Sequence, residues 1–314
     1  MMNKIHIVLY CLICLAPACA SIRECRIETL QPPEMPLNTP IEKIAVYAPP
    51  KLFSEAIVSN IKTADIASDS LIYNILYSLK MFIEEAPGFE ESVVSVFIAD
   101  GDIPDKADYD WLIELKQLDI ENNIGAQSGK LFLHARCSAL WTLQNRDASV
   151  TDTRSDNDSQ IWLAISENDG NYIISYLPTI ADAWWDLGIA IARSYARYIT
   201  PYWYTEDRQF FMLNKFPDHS RRAYDAMMNG NYQKAFDIWE EMLILCGKNG
   251  KTSTKSQITL NMAVACESEH RLDEALVWAQ RSVGYAVNYL NGGYPEFLKY
   301  RQEQDSLLRR QISH

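Results

Sequence analysis

Between residues 41 and 200 the apolar positions follow two periods. Lys43-Ile44-Ala45-Val46-Tyr47-Ala48 is a near-continuous apolar run closed by Pro49-Pro50, the pattern of a strand buried on both faces. Ser70 is a fair N-cap, and Leu71, Ile75, Leu79, Phe82 and Ile83 then recur at helical spacing up to Pro87. Val93–Ile98 reads as a second buried strand. Asp110–Ile120 alternates and reads as a third. In Lys130–Gln144, Leu131, Leu133, Ala135, Cys137, Ala139 and Trp141 take one face, and Phe132, His134, Arg136 and Ser138 the other. Asn145–Ser159 is polar and reads as a connection, with short strands expected at Ser149–Thr153 and Ile161–Ile165. Ile180, Trp184, Leu187, Ile191 and Tyr195 form one stripe of a helix over Thr179–Ile199, which Pro201 ends. This order predicts a mixed sheet with two packed helices over 41–200.

After a junction at 201–215 the period is helical to the end. Two hairpins share one plan. Gly230-Asn231-Tyr232-Gln233-Lys234-Ala235 precedes Trp239 and Met242. His270-Arg271-Leu272-Asp273-Glu274-Ala275 precedes Ala279 and Ser282. Ala223 lies 12 residues before Ala235, and Ala263 lies 12 before Ala275. Small residues there let antiparallel helices approach closely. A last helix from Tyr294 to about Gln311 has a polar outer face suited to a cap. The whole chain is thus expected to be α+β, a mixed sheet with two helices followed by an all-α domain over 216–314.

The hairpins resemble the tetratricopeptide repeat, whose usual role is to display a groove for a protein or peptide. The resemblance implies that the first helix of each pair faces the groove, through Tyr224, Met227 and Met228 from one hairpin and Leu260, Asn261, Val264 and Glu267 from the other. These are the candidate partner-binding residues. Two hairpins and a cap fall short of the three or so repeats a solenoid needs. The aromatic junction Tyr202–Phe211 is therefore expected to dock the helices on the sheet domain.

Residues 1–18 have the form of a secretory signal peptide: Lys4, an apolar run from Ile5 to Leu15 broken only by His6, then Ala16-Pro17-Ala18. Cleavage before Cys19 makes that cysteine a lipid attachment site. Cleavage after Ala20, using Ala18-Cys19-Ala20, gives a soluble secreted protein. The Pro-rich stretch Gln31–Pro40 closes a linker over 19–40, expected to act as an extended tether. The order of elements resembles the sheet-and-two-helix domain of envelope lipoproteins of the curli-secretion and Tol-associated kinds. The stretch Ile199-Thr200-Pro201-Tyr202-Trp203-Tyr204 to Phe210-Phe211 resembles the junction of an uncharacterised Gram-negative lipoprotein family. In that family an α/β domain precedes tetratricopeptide repeats.

Charge narrows the partners. Net charge is −12. Residues 216–314 hold 12 basic and 12 acidic side chains, so the excess falls on residues 19–215, with 16 basic against 29 acidic. A nucleic acid needs a basic face, and so does anionic lipid. An envelope protein or peptide is the expected partner, with membrane attachment only through the anchor.

Catalytic signals are sparse. Cys11-x-x-Cys14 lies in the signal peptide. Cys25, Cys137, Cys246 and Cys266 lack metal spacing, and their pairing is open; Cys137 and Cys266 read as buried thiols. His134, His219, His270 and His314 have no metal spacing either, and His270 takes a turn place usually held by Gly. Asp152, Asp156, Asn157 and Asp158 fit neither EF-hand frame and read as a solvated loop. Asp100, Asp102 and Asp105 read as a turn. There is no phosphate-binding glycine motif. No cofactor and no metal are expected, and the chain is expected not to be an enzyme. Two alternatives stand beside a binding scaffold: a hydrolase or metal-dependent enzyme with its site in the sheet domain, and a purely structural envelope component.

Overall fold

The structure, a computed structural model, describes residues 21–37, 41–49, 52, 64–98, 104–106, 108–127, 130–166, 172–173 and 177–312. The expected leader 1–18, Cys19, Asp100, Asp102 and His314 lie outside them. In chain order the elements are β1 (Ser21–Gln31), β2 (Lys43–Ala48), α1 (Ala64–Glu84), β3 (Val93–Ile98), β4 (Trp111–Gln127) and β5 (Lys130–Asn145). Then come β6 (Thr151–Leu163), β7 (Ile165–Ser166), β8 (Tyr172–Ile173), α2 (Ile180–Ile199) and β9 (Tyr202–Met212). The last five are α3 (Pro217–Met228), α4 (Tyr232–Cys246), α5 (Thr252–Ser268), α6 (Leu272–Tyr285) and α7 (Tyr294–Ile312). The fold is α+β. It divides into a helical unit, Met1–Gln31 with Trp203–Leu308, and a sheet unit, Pro32–Tyr202 with Arg309–His314.

In the sheet unit five strands run in the order β3-β2-β4-β5-β6. β2 pairs in parallel with β3 and β4, and the β4-β5-β6 meander is antiparallel. Ile44, Val46 and Ala48 of β2 enter the main core with Leu71, Ile75, Leu79 and Ile83 of α1 and Trp184, Leu187, Ile191 and Tyr195 of α2. Ala45 and Tyr47 turn to the other face, where they meet Tyr109 and Leu112. β2 is therefore buried on both faces, as its apolar run predicts. Each buried Ile, Val or Leu side chain there contributes about 1.5–3 kcal/mol. α1 and α2 approach closely because Gly188 is bare: a Cβ there would stand 2.8 Å from Leu71 Cδ1 and 2.9 Å from Asn74 Nδ2. Thr179 caps α2 in a capping box with Asp182.

Several expectations shift. β3 is an edge strand with only Val94 buried, although its run reads as central. Ser70 lies inside α1, not at its cap, because the helix begins at Ala64. The polar stretch expected as a connection at 145–159 is mostly β6, an edge strand whose inner residues are polar. Asp152 accepts from the Tyr198 hydroxyl (2.8 Å). Buried Asp156 accepts from Ser194 (2.8 Å) and Arg154 Nε (3.0 Å). These carboxylates tie the sheet to α2 and do not form a solvated loop. Lastly, the expected tether over 19–40 contains β1. Ser21–Gln31 is not a free linker, because it pairs with β9.

Candidate functional site

The four small positions Ala223, Ala235, Ala263 and Ala275 are all fully buried between the helices of α3–α6. The two hairpin turns are equivalent in detail. Gly230 and His270 both take left-handed backbone, at φ 70° and 58°. The next amides return to matching carbonyls, Asn231 to Ala226 and Arg271 to Cys266. This is the ordinary left-handed closure of a helix, which glycine makes without strain.

The inner face of this array is occupied by the chain itself. β1 and β9 form a two-stranded ribbon. Cys25 Sγ donates to Arg208 O, and Thr29 Oγ1 donates to Tyr204 O, so the strands run antiparallel. Alternate residues of β1, namely Cys25, Ile27 and Thr29, are buried. From β9, Phe210 meets Trp239 edge-on at 5.8 Å and lies 6.2 Å from Tyr224. The side chain of Asn261 clamps one residue of the strand from both sides. It accepts from Phe211 N (2.7 Å) and donates to Phe211 O (2.7 Å). Ser220 grips Leu213 N and O in the same manner, at 3.0 Å each.

A charged cluster lies under the ribbon. Arg208 reaches Glu267 bidentately, Nε to Oε2 at 2.9 Å and Nη2 to Oε1 at 2.8 Å. It also contacts Glu206 and lies 4.6 Å over the Phe297 ring. Tyr294 donates its hydroxyl to Glu267. Arg301 is buried with Nε 4.0 Å from the same carboxylate, and its Nε and Nη1 have no hydrogen-bond partner among the described residues. Burial opposes the charge on Arg208, but Glu267 and Glu206 more than offset it, and the guanidinium pKa is raised. Burial and then Glu267 push the Tyr294 hydroxyl well above its ordinary value. The cluster holds two arginines and two glutamates, so its charges balance within the protein. Such a pair is costly to break but adds little net stability when intact.

Of the seven partner-binding candidates, five are buried: Met227, Leu260, Asn261, Val264 and Glu267. They meet β9 or the helical core and do not line an open groove. Tyr224 is half-buried against Phe210, and Met228 is exposed. Of the junction Tyr202–Phe211, expected to dock on the sheet domain, Arg208, Phe210 and Phe211 pack on the helices of their own unit. The reason is that α5 is buried on every side from Ile258 to Glu267, which calls for a cover that α4 and α6 alone do not supply. The roles of Arg208, Cys25 and Ile27 in the ribbon, and of Ser220 on α3, escaped the sequence reading. The signal was present as the alternation Cys25, Ile27, Thr29 between Arg26 and Glu28.

The remaining titratable groups have structural surroundings. Cys25, Cys137, Cys246 and Cys266 are buried free thiols. Burial pushes Cys25, Cys137 and Cys266 up to about 12. His134 lies on β5 between Asn123 and Ile161. His219 stands 3.9 Å from the exposed Glu241. Among the described residues no group of three or more His, Cys, Asp or Glu side chains could hold a metal ion. No described helix is long and apolar enough to cross a membrane.

Fold and site define the class: a two-unit α+β protein whose helical array encloses an extended strand of its own chain. Two family models match parts of it. Residues 101–211 match a domain of unknown function (DUF8603), and residues 221–306 match another (DUF6340). No curated protein matches. Similar solved structures include a neuraminyllactose-binding hemagglutinin homolog from Helicobacter pylori, at 12% identity over 52% of this chain and 88% of that one, with a TM-score of 0.33. A minor lipoprotein from Acinetobacter baumannii shares 14% identity over 49% of this chain and 90% of its own, with a TM-score of 0.27. A PelC dodecamer from Paraburkholderia phytofirmans shares 12% identity over 57% and 99%, with a TM-score of 0.25.

Proposed function

We propose that the protein is a non-catalytic exported lipoprotein, attached through Cys19, whose tetratricopeptide-like helices serve as a scaffold for a protein partner in the cell envelope. The observation that carries this reading is the seating of β9. Asn261 takes the main-chain N–H and C=O of one strand residue, aromatic side chains take the next, and Glu267 takes an arginine. Helices arranged in this way recognise extended chain by backbone and side chain together. Because β9 fills the inner face, an outside partner engages the flank beside it, where Met228 is exposed and Tyr224 half-exposed. The anchor rests on Lys4, the Ile5–Leu15 run and Ala16-Pro17-Ala18-Cys19.

The test is cross-linking and capture from solubilised envelopes, with the wild type beside Met228→Glu. Loss of specific partners in the variant supports the flank, and an unchanged partner set refutes it. Labelling with a radioactive fatty acid tests the anchor separately: Cys19→Ala should abolish incorporation.

A further inference from the structure

A groove of about 650 Å³ runs along the exposed side of the α1–α2 pair in the sheet unit. This falls within the range of small-molecule sites. Its walls are Tyr73, Tyr77, Met81 and Phe82 from α1 and Trp185 and Ile189 from α2. Tyr73, Tyr77, Met81 and Trp185 are each about half exposed, at 46%, 50%, 55% and 51%. So contiguous an apolar surface on a soluble unit marks a binding site.

The polar groups on the floor are already used. Asn74 Nδ2 donates to the Trp185 carbonyl (2.9 Å), and Asn74 Oδ1 accepts from the Ser78 hydroxyl (3.2 Å). Asn74 and Ser78 between the helices are thus paired within the protein, while the half-exposed Tyr73 and Tyr77 add hydroxyls along the walls. A peptide strand would find few partners for its regularly spaced amides there, whereas a hydrocarbon chain needs none. The Phe82 end differs. Arg193, two turns beyond Trp185 on α2, is exposed and holds its guanidinium 5.1 Å over the Phe82 ring. Among the described residues no carboxylate lies within ion-pair distance of it. The groove thus joins an apolar trough to the Arg193 guanidinium at its end.

We infer that the α1–α2 groove binds a single-chain amphiphile with an anionic head, its hydrocarbon tail against Tyr77, Met81, Trp185 and Ile189 and its head at Arg193. This site is formed by residues of the sheet unit and does not depend on the partner proposed for the helical unit.

Isothermal titration of the full chain with hexadecanoate, below its micellar range, tests the inference, with hexadecyltrimethylammonium as the same tail under a cationic head. The expected result is saturable one-to-one binding of hexadecanoate, about tenfold weaker for Arg193→Gln. Met81→Glu should abolish it, and the ammonium amphiphile should bind at least tenfold more weakly. Both substituted side chains are exposed, so melting curves should match the wild type. If Met81→Glu melts early, Tyr77→Glu repeats the test. Equal affinity for the two heads, binding that survives Met81→Glu or Tyr77→Glu, or no saturable binding would each overturn the proposal. Binding only to phosphatidylglycerol vesicles would point to a membrane surface and overturn it as well.

Discussion

Asn261 offers the sharpest test of how β9 is held. Its side chain is fully buried, and both of its amide groups are spent on Phe211, at 2.7 Å each. Asn261→Ala removes an acceptor and a donor at once and leaves the Phe211 N–H and C=O buried without partners. Each stranded group costs roughly 1–3 kcal/mol, so the expected loss is about 4 kcal/mol. Asn261→Asp should not rescue it, since a carboxylate serves the N–H but faces the Phe211 carbonyl with like charge. Urea unfolding of the full chain gives the total. Native-state hydrogen exchange shows where it falls, and the amides of 208–212 should open before those of α4 and α5. A loss under about 1 kcal/mol with unchanged protection at Phe211 would refute the clamp and leave the aromatic contacts of Phe210 to hold the strand.

Three further outcomes follow from burial and charge. Glu267→Gln leaves Arg301 buried without its anion and Arg208 with Glu206 alone, and should cost about 3–5 kcal/mol, while a double-mutant cycle of Arg208→Leu and Glu267→Leu should show a coupling of about 1–3 kcal/mol. Gly188→Ala drives a methyl against Leu71 and Asn74 and should cost about 1–3 kcal/mol, whereas Gly284→Ala, with nothing within 4 Å, should stabilise by about 0.5 kcal/mol; thermal melts of the two variants should move in opposite directions. The thiols of Cys25, Cys137 and Cys266 sit at about 12 when folded and at the ordinary 9.0 when exposed. Between those limits the unfolded chain gives up protons that the folded chain keeps. Their stabilisation is therefore whole below pH 9 and falls as pH rises, by about 1.4 kcal/mol per pH unit for each thiol. Denaturation at pH 8 and pH 10 checks this, and a flat profile refutes it.

The periodic elements were legible because one residue's neighbours decide them. The Ile180–Tyr195 stripe, the Leu133–Trp141 alternation and the alanines at 223, 235, 263 and 275 each imply a buried face whatever lies opposite. Nothing local says what the opposite face is. Asp152 and Asp156 read as solvent-facing because their partners, Tyr198 and Ser194, are about 40 residues away. Cys25, Ile27 and Thr29 read as tether because β9 lies some 180 residues downstream. Asn261 and Glu267 read as an open surface because the strand that covers them comes before the helices in the chain.

The amino-acid sequence by itself thus determined the helices and the apolar strands, and which side of each is buried, since steric period and hydrophobic burial act over a few residues, whereas the polar strands β1 and β6 were not legible in it. Only the tertiary structure decided what those sides meet. Strand pairing and the partnering of buried polar groups join residues far apart along the chain. Those long-range joins turned an expected docking groove into the seat of β9 and left the α1–α2 trough open.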